Sequence, residues 1–367
     1  MNILWEKTTL ADLTLPSRLV CSAAGEGMCD EVFHATPRLI QRYYELGKDG
    51  AIGLIITGHA FVSPEGRRRV AQISLASDSA IPALSEVAKA AKHGGSQIFI
   101  QMSHGGLCSE EALTGLPAIG PSDADNAPEY SGRAMTVEEI HAMVEHFADA
   151  ARRAQLAGFD GIELHMAHGF LLSEFLSPLF NHRTDEYGGT QEKRTRFAVE
   201  IIHAIHALCG SQFPIIAKVN YQDGQPGGLT IDMALESAKI MESAGLAGIE
   251  ISGGLCFRKN AAETPMKPVS LAQNKGLCYF RDAARRFKNE LRIPVIIVGG
   301  IRTVDTIEEI LANGEADLVG ICRPFIRDPA LARKWRAGDS RPSDCLSCNR
   351  CLEYSRTSMG LQCPIKK

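Results

Sequence analysis

Short apolar runs alternate along this chain with longer stretches whose apolar positions recur roughly every three to four residues. The runs fall at residues 18–22, 52–57, 97–102, 161–165, 215–219, 248–252, 294–298 and 318–321. They are apolar throughout rather than at every second position, as strands covered on both faces of a parallel sheet require. The stretches between them predict helices at roughly 36–46, 81–93, 136–157, 191–209, 230–244, 276–287, 304–313 and 328–337. Gly47, Gly94-Gly95, Gly158, Gly245 and Gly314 stand between a helical stretch and the next run. Glycine there supplies the left-handed residue that closes a helix. Thr136-Val-Glu-Glu139 has the spacing of a capping box.

Eight strand-then-helix units without a break in composition predict a closed (β/α)8 TIM barrel of the α/β class. A doubly wound open sheet is the structural alternative. Residues 4–15, ahead of the first strand, would form a short hairpin closing the barrel bottom. The expected division is a barrel over residues 1–340 and a short Cys-rich extension over 341–367. Composition narrows the function classes. A net charge of -4 with 22% charged residues, and basic clusters no longer than Arg67-Arg68-Arg69, argue against a nucleic-acid surface. No run of about 18 apolar residues predicts a membrane span. The N-terminus lacks a basic segment followed by an apolar one, so the expected location is cytoplasmic.

The 11 cysteines are unevenly placed. Cys21, Cys29, Cys108, Cys209, Cys256, Cys278 and Cys322 are scattered and read as small core residues. Cys345, Cys348, Cys351 and Cys363 crowd the tail, and in a reducing compartment such a group is a metal site rather than disulfides. Four thiolates suit a 4Fe-4S cluster, with zinc as the chemical alternative.

Most of the chemistry is concentrated at residues 161–189. His165 and His168 lie three residues apart where a strand gives way to a loop, followed by a tract of Asn, Arg, Asp, Tyr and paired Gly. In a barrel the strand C-termini converge on one mouth. That gathers Ala23, Ala24 and Gly25; Thr57, Gly58 and His59; Gln101 and His104; His165 and His168; Lys218; Ser252, Gly253 and Gly254; Gly299 and Gly300; Cys322 and Arg323. The Gly299-Gly300 turn with Arg323 predicts a phosphate site; the competing reading is a plain turn and a solvated arginine. Lys218 ends a wholly apolar run and so needs an anionic or carbonyl partner.

Residues 53–57, Ile100-Gln-Met-Ser-His104, Phe159-Asp-Gly-Ile-Glu-Leu-His165 through Gly189, Val298-Gly-Gly-Ile301 and Arg323-Pro-Phe-Ile-Arg-Asp-Pro329 resemble the Old Yellow Enzyme family of FMN-dependent oxidoreductases. The spacing Cys-x2-Cys-x2-Cys-x11-Cys is similar to the iron-sulfur motif of the branch containing 2,4-dienoyl-CoA reductase and trimethylamine dehydrogenase. The resemblance implies FMN across the barrel mouth, with Ala23, Ala24, Gly25, Gly58 and Gly253 lining its ring, Gln101 bonding the pyrimidine edge and Lys218 neutralising the N1 side. Gly299, Gly300, Cys322 and Arg323 would hold the phosphate, and His165 and His168 the carbonyl oxygen of a substrate. Cys345, Cys348, Cys351 and Cys363 would hold the cluster. The implied activity is NAD(P)H-dependent reduction of activated C=C bonds in enones, enals or enoyl thioesters. Where the ene-reductases of the family carry a tyrosine two residues after the second histidine, this chain has Phe170, which has no proton to give. Water, Tyr130, Tyr221 or Cys256 would then protonate the substrate, or the reaction is an oxidation of an amine or alcohol. A third reading is an electron-transfer module of a larger complex. No G-x-G-x-x-G follows a strand, so NAD(P)H would meet the same flavin, or a redox partner protein would supply electrons. A homo-oligomer is expected.

Overall fold

The computed structural model describes residues 2–124, 132–255, 278–357 and 359–365. Eight parallel strands run through it: β1 (Leu19–Cys21), β2 (Leu54–Ile56), β3 (Gln97–Ser103), β4 (Gly161–Met166), β5 (Ile215–Asn220), β6 (Gly248–Ser252), β7 (Val295–Ile297) and β8 (Leu318–Ile321). Each pairs with the next, and β8 returns to β1 through Val319 beside Leu19 and Ile321 beside Cys21. Closure leaves no edge among these eight strands unpaired, and the open-sheet alternative falls. The expected (β/α)8 barrel is the observed fold.

Continuous burial explains why these segments are strands. Every residue of β4 and β5 is buried, because one face meets the barrel interior and the other the helix ring. Eight helices form that ring: α1 (Pro37–Gly47), α2 (Ile81–Lys92), α3 (Val137–Leu156), α4 (Gln191–Cys209), α5 (Ile231–Ser243), α6 (Arg281–Glu290), α7 (Val304–Ala312) and α8 (Leu331–Arg336). Thr36, Thr136, Thr190, Thr230 and Thr303 each cap a helix by accepting a backbone N–H three residues on. Thr136 and Glu139 complete the capping box. The helix expected over 276–287 starts only at Arg281, after a non-helical stretch at 278–280, and runs to Glu290, three residues beyond expectation. The strands at 18–22 and 52–57 are shorter than expected at both ends, β1 ending at Cys21 and β2 at Ile56.

A separate apolar cluster fills the barrel interior, where Val20, Leu54, Phe99, Ile216, Ile296 and Leu318 meet Leu10 and Leu15 of an N-terminal hairpin. Thr8–Leu10 pairs antiparallel with Leu13–Leu15, the floor expected from sequence. The strand register then fixes the site: Gln101 lies beside Glu163, Lys218 beside both His165 and Glu250, and Asn220 beside Ser252.

The tail packs back onto the mouth. Leu361 donates its N–H to the Glu26 carbonyl (2.6 Å) and Ser343 to that of Arg302 (2.9 Å). Gly27, at φ 60°, is required here: a Cβ would stand 2.2 Å from the Ser355 carbonyl oxygen.

Candidate active site and cysteine-lined pocket

The strand C-termini open onto a cavity of about 500 Å³, within the range of about 300–1,000 Å³ usual for cofactor and ligand sites. Ala23, Ala24, Gly25, Gln101, His165, His168, Phe170, Lys218, Gly253, Gly299, Gly300, Cys322 and Arg323 all line it. Gly58 does not. Its N–H donates to the buried Glu26 carboxylate (2.7 Å), and a Cβ there would meet that carboxylate, so Gly58 shapes the wall behind the lining. Tyr130 and Cys256 lie outside the described residues. Tyr221 lines the cavity with its hydroxyl accepting from Gln222 (2.9 Å).

Two carboxylates hidden in the apolar runs set the floor's electrostatics. Lys218 is ion-paired to Glu250 on the adjacent strand and donates to Ser22 Oγ (3.0 Å), which donates in turn to Glu250 (2.5 Å). Burial opposes the Lys218 charge, but Glu250 and Glu163 outweigh it and raise its pKa. Gln101 Nε2 donates to Glu163 (2.6 Å), which leaves the Gln101 carbonyl oxygen as the acceptor of the pair. Burial, followed by the Glu250 charge, pushes the Glu163 carboxyl up to about 8. Glu163 Oε1 and Glu250 Oε2 are buried without a partner among the described residues. Neither glutamate was singled out from sequence. The matching Gly161-Ile-Glu-Leu and Gly248-Ile-Glu-Ile tetrads are the signal that could have found them.

Three imidazoles cluster above this floor. His165 and His168 ring centroids lie 5.1 Å apart at 84°, and His59 lies 6.2 Å from His165. His168, at φ 67°, is held by its N–H to Asn220 Oδ1 (3.1 Å) and by its Nε2 against Ser252 Oγ (2.8 Å). Burial, then the Lys218 charge, lowers His168 to about 3; burial and the neighbouring imidazoles take His165 well below its usual range. Both are neutral hydrogen-bonding groups near neutral pH. Phe170 packs edge-on to His165 (4.5 Å) in a cluster with Leu107, Phe180 and Leu255.

At the far end Gly299 (φ 104°) and Gly300 (φ 76°) form a turn open only to glycine. Tyr279 lies against it, and Arg323 donates to the Tyr279 hydroxyl (3.4 Å) and to Asn349 Oδ1 (2.8 Å). Tyr279 thus touches both the turn and the guanidinium.

Arg323 and Ser347 line this cavity and also a second one, of about 20 Å³, which Cys345, Cys348, Cys351 and Cys363 all line. Ser347 and Asn349, between those cysteines, adopt positive φ (51° and 63°), so the chain coils tightly there. Arg327 donates to Cys363 Sγ (3.6 Å). Among the described residues no group of three or more His, Cys, Asp or Glu is disposed to hold a single metal ion. Cys21, Cys29, Cys108 and Cys278 are buried as expected of core residues, while Cys209 and Cys322 are half-buried.

The sequence profile of the NADH:flavin oxidoreductase / NADH oxidase family matches residues 4–341. The chain belongs to this family. Among its relatives, an NADH oxidase of Thermoanaerobacter brockii is 34% identical over 94% of this chain and 52% of its own length. An NADPH dehydrogenase of Bacillus velezensis is 34% identical over 89% of this chain and 91% of its own. The chain spans about half the length of the first curated relatives it matches. A solved complex of 2-naphthoyl-CoA reductase with 2-naphthoyl-CoA superposes with a TM-score of 0.90 at 26% identity, covering 98% of this chain and 56% of that one. The resemblance drawn from the sequence is borne out.

For a member of this flavin oxidoreductase family the cavity fits FMN. Its volume, the acceptor oxygen of Gln101, the ammonium of Lys218 and the glycine turn beside Arg323 supply partners for a planar heterocycle and a phosphate. Among the described residues no helix is long and apolar enough to cross a membrane.

Proposed function

We propose that this protein is an FMN-dependent NAD(P)H oxidoreductase that reduces activated C=C bonds of enones, enals or enoyl thioesters. The observation that carries the reading is the pair of neutral imidazoles, His165 and His168, facing one cavity whose opposite end is the Gly299-Gly300 turn with Arg323. Bound FMN supplies hydride exchange between nicotinamide and substrate. Gln101 would accept from its ring N–H, Lys218 would sit where negative charge develops, and Gly299, Gly300, Cys322 and Arg323 would hold its phosphate. His165 and His168 donate N–H groups to the substrate carbonyl, and these bonds strengthen as the oxygen becomes an enolate. Phe170 excludes water beside them and gives no proton, which leaves Tyr221, Tyr130, Cys256 or solvent to protonate carbon.

The tail over residues 341–367 reads as a cluster-binding extension. Cys345, Cys348, Cys351 and Cys363 line one pocket. Four thiolates at this spacing suit a 4Fe-4S cluster, with zinc as the chemical alternative. Because Arg323 and Ser347 border both cavities, electrons from a redox partner protein have a short route inward. That feature favours, as second reading, an oxidative or electron-transfer role. A homo-oligomer in the cytoplasm completes the proposal.

The test is an anaerobic absorbance spectrum with iron, zinc and flavin quantified on one sample, followed by NADPH and then 2-cyclohexenone. Flavin bleached by NADPH and restored by the enone supports the reductase. Flavin that the enone cannot reoxidise moves the assignment to the second reading.

A further inference from the structure

His59 was one of several mouth residues on sequence and has no part in the chemistry above, yet its environment fixes what it can do. It follows β2, lines the cavity, and packs edge-on to Phe170 at 5.6 Å. Its tautomer follows from Gln72. The Gln72 carbonyl oxygen accepts the backbone N–H groups of Arg68 (2.7 Å) and Arg69 (3.1 Å), which fixes the amide orientation. Gln72 Nε2 therefore donates, to the His59 carbonyl (3.0 Å) and to His59 Nδ1 (2.8 Å). A nitrogen that accepts cannot carry the proton, so in the neutral ring the N–H is on Nε2. Burial, then Arg69 and Arg68, lowers the ring to about 3, and the neutral form prevails at working pH.

Nε2 has no partner among the described residues, and it lies at the wall formed by Gly25. A Cβ at Gly25 would stand 2.9 Å from it. The missing side chain at residue 25 thus leaves the space that the His59 N–H occupies, at the same side of the cavity as His165. Local backbone geometry gives no other reason for glycine here, since Gly25 is not among the residues with positive φ.

We propose that His59 is a third imidazole donor of the active site, its Nε2–H aimed beside Gly25 at a hydrogen-bond acceptor of the bound flavin or of the substrate. The proposal rests on the FMN reading above. Gln72 is a positioning residue, and the pairing of Gly25 with His59 is part of what shapes the pocket.

The experiment compares wild type, His59→Ala, His59→Gln and Gln72→Leu as holoenzymes with flavin stoichiometry measured on each. Gln is the informative variant because its amide nitrogen reaches about as far as Nε2 and restores a donor. Two readouts are taken: the flavin midpoint potential, and the dissociation constant of a phenol from an absorbance titration. At full FMN occupancy His59→Ala should change one of them by roughly fivefold to tenfold, the worth of one hydrogen bond in a desolvated site. For a two-electron couple tenfold is about 30 mV. A shifted potential assigns the acceptor to the flavin; weakened phenol binding at unchanged potential assigns it to the substrate. His59→Gln should stay within about twofold of wild type on the affected readout, and Gln72→Leu should move it in the direction of His59→Ala. Nitrogen-15 shifts of the His59 ring should report the neutral Nε2–H form. FMN-loaded His59→Ala with wild-type potential and phenol affinity overturns the proposal, as does an Nδ1–H tautomer. A wild-type protein that takes up no FMN overturns the functional reading itself, an outcome visible before any variant is compared.

Discussion

Replacing Glu163 by Gln tests the buried charge arrangement under the cavity. In the folded protein Glu163 is fully buried, accepts from Gln101, and has its carboxyl pushed from an ordinary 4.5 up to about 8. In the unfolded chain it titrates near 4.5, so between about pH 5 and 8 the folded state holds a proton that the unfolded state has released. Stability rises with pH where the unfolded state binds more protons; here it binds fewer, so Glu163 lowers stability as pH rises through this window. The slope is about 1.4 kcal/mol per pH unit for one proton, which reaches about 4 kcal/mol by pH 8. Gln keeps the bond from Gln101 and never ionises. Thermal unfolding at matched flavin content should therefore show the two proteins alike near pH 4.5, with Glu163→Gln pulling ahead as pH rises. At roughly 1–2 °C per kcal/mol for a chain of this size, the gap at pH 8 should be roughly 4–8 °C. A gap that does not change with pH, or a wild type more stable at pH 8.5, would refute the account.

His165→Ala and His168→Ala should each weaken phenol binding about tenfold while FMN stays bound, read by absorbance titration; unchanged affinity in both removes the oxyanion role. Phe170→Tyr should raise steady-state enone turnover at least severalfold, since it adds a proton donor beside His165 in a site where proton transfer contributes about 10²–10⁴-fold. Turnover that stays flat while a solvent isotope effect shows protonation to be slow would point to another donor. Cys351→Ala should cut bound iron by half or more with flavin content preserved, because its side chain lines the four-cysteine pocket and not the main cavity; wild-type iron content would remove the cluster assignment.

The fold was legible because its signals are local. Continuous apolar runs and threonine-capped helices depend on the backbone and on burial, and both are written in short windows of sequence. The mouth was legible for the same reason, since strand ends in a barrel must converge. What sequence reading missed depends on register. Lys218 was expected to need an anionic partner, but that the partner is Glu250 follows from β5 and β6 lying residue against residue. Glu163 and Glu250 were overlooked because one polar residue in an apolar run does not break the pattern. The resemblance implies Gly58 in the lining, whereas the buried Glu26, 32 positions away in sequence, takes its N–H. The His59 tautomer depends on a glutamine 13 residues on, which no periodicity exposes.

Charge in the cavity is arranged to be absent until reaction. His59 and His168 are held neutral to about pH 3 and His165 also stays uncharged, Glu163 keeps its proton to about pH 8, and Lys218 is matched by Glu250. Neutral donors offset little of the desolvation that a carboxylate would lose on entering beside them. They gain most when the ligand acquires charge in place, which is differential binding of the transition state rather than of the ground state. On the proposed reading, then, the reacting end of the substrate is a neutral carbonyl compound. Any anionic portion belongs at the rim, where Arg69 and Arg356 line the cavity. Glu163 marks the opposite limit: a floor carrying two ionised glutamates against one lysine would repel electron density gathering above it. The proton on Glu163 therefore serves the chemistry as well as the fold, and as pH rises through 8 the flavin potential of the wild type should fall more steeply than that of Glu163→Gln, in which the drop of about 30 mV per pH unit from flavin protonation alone remains.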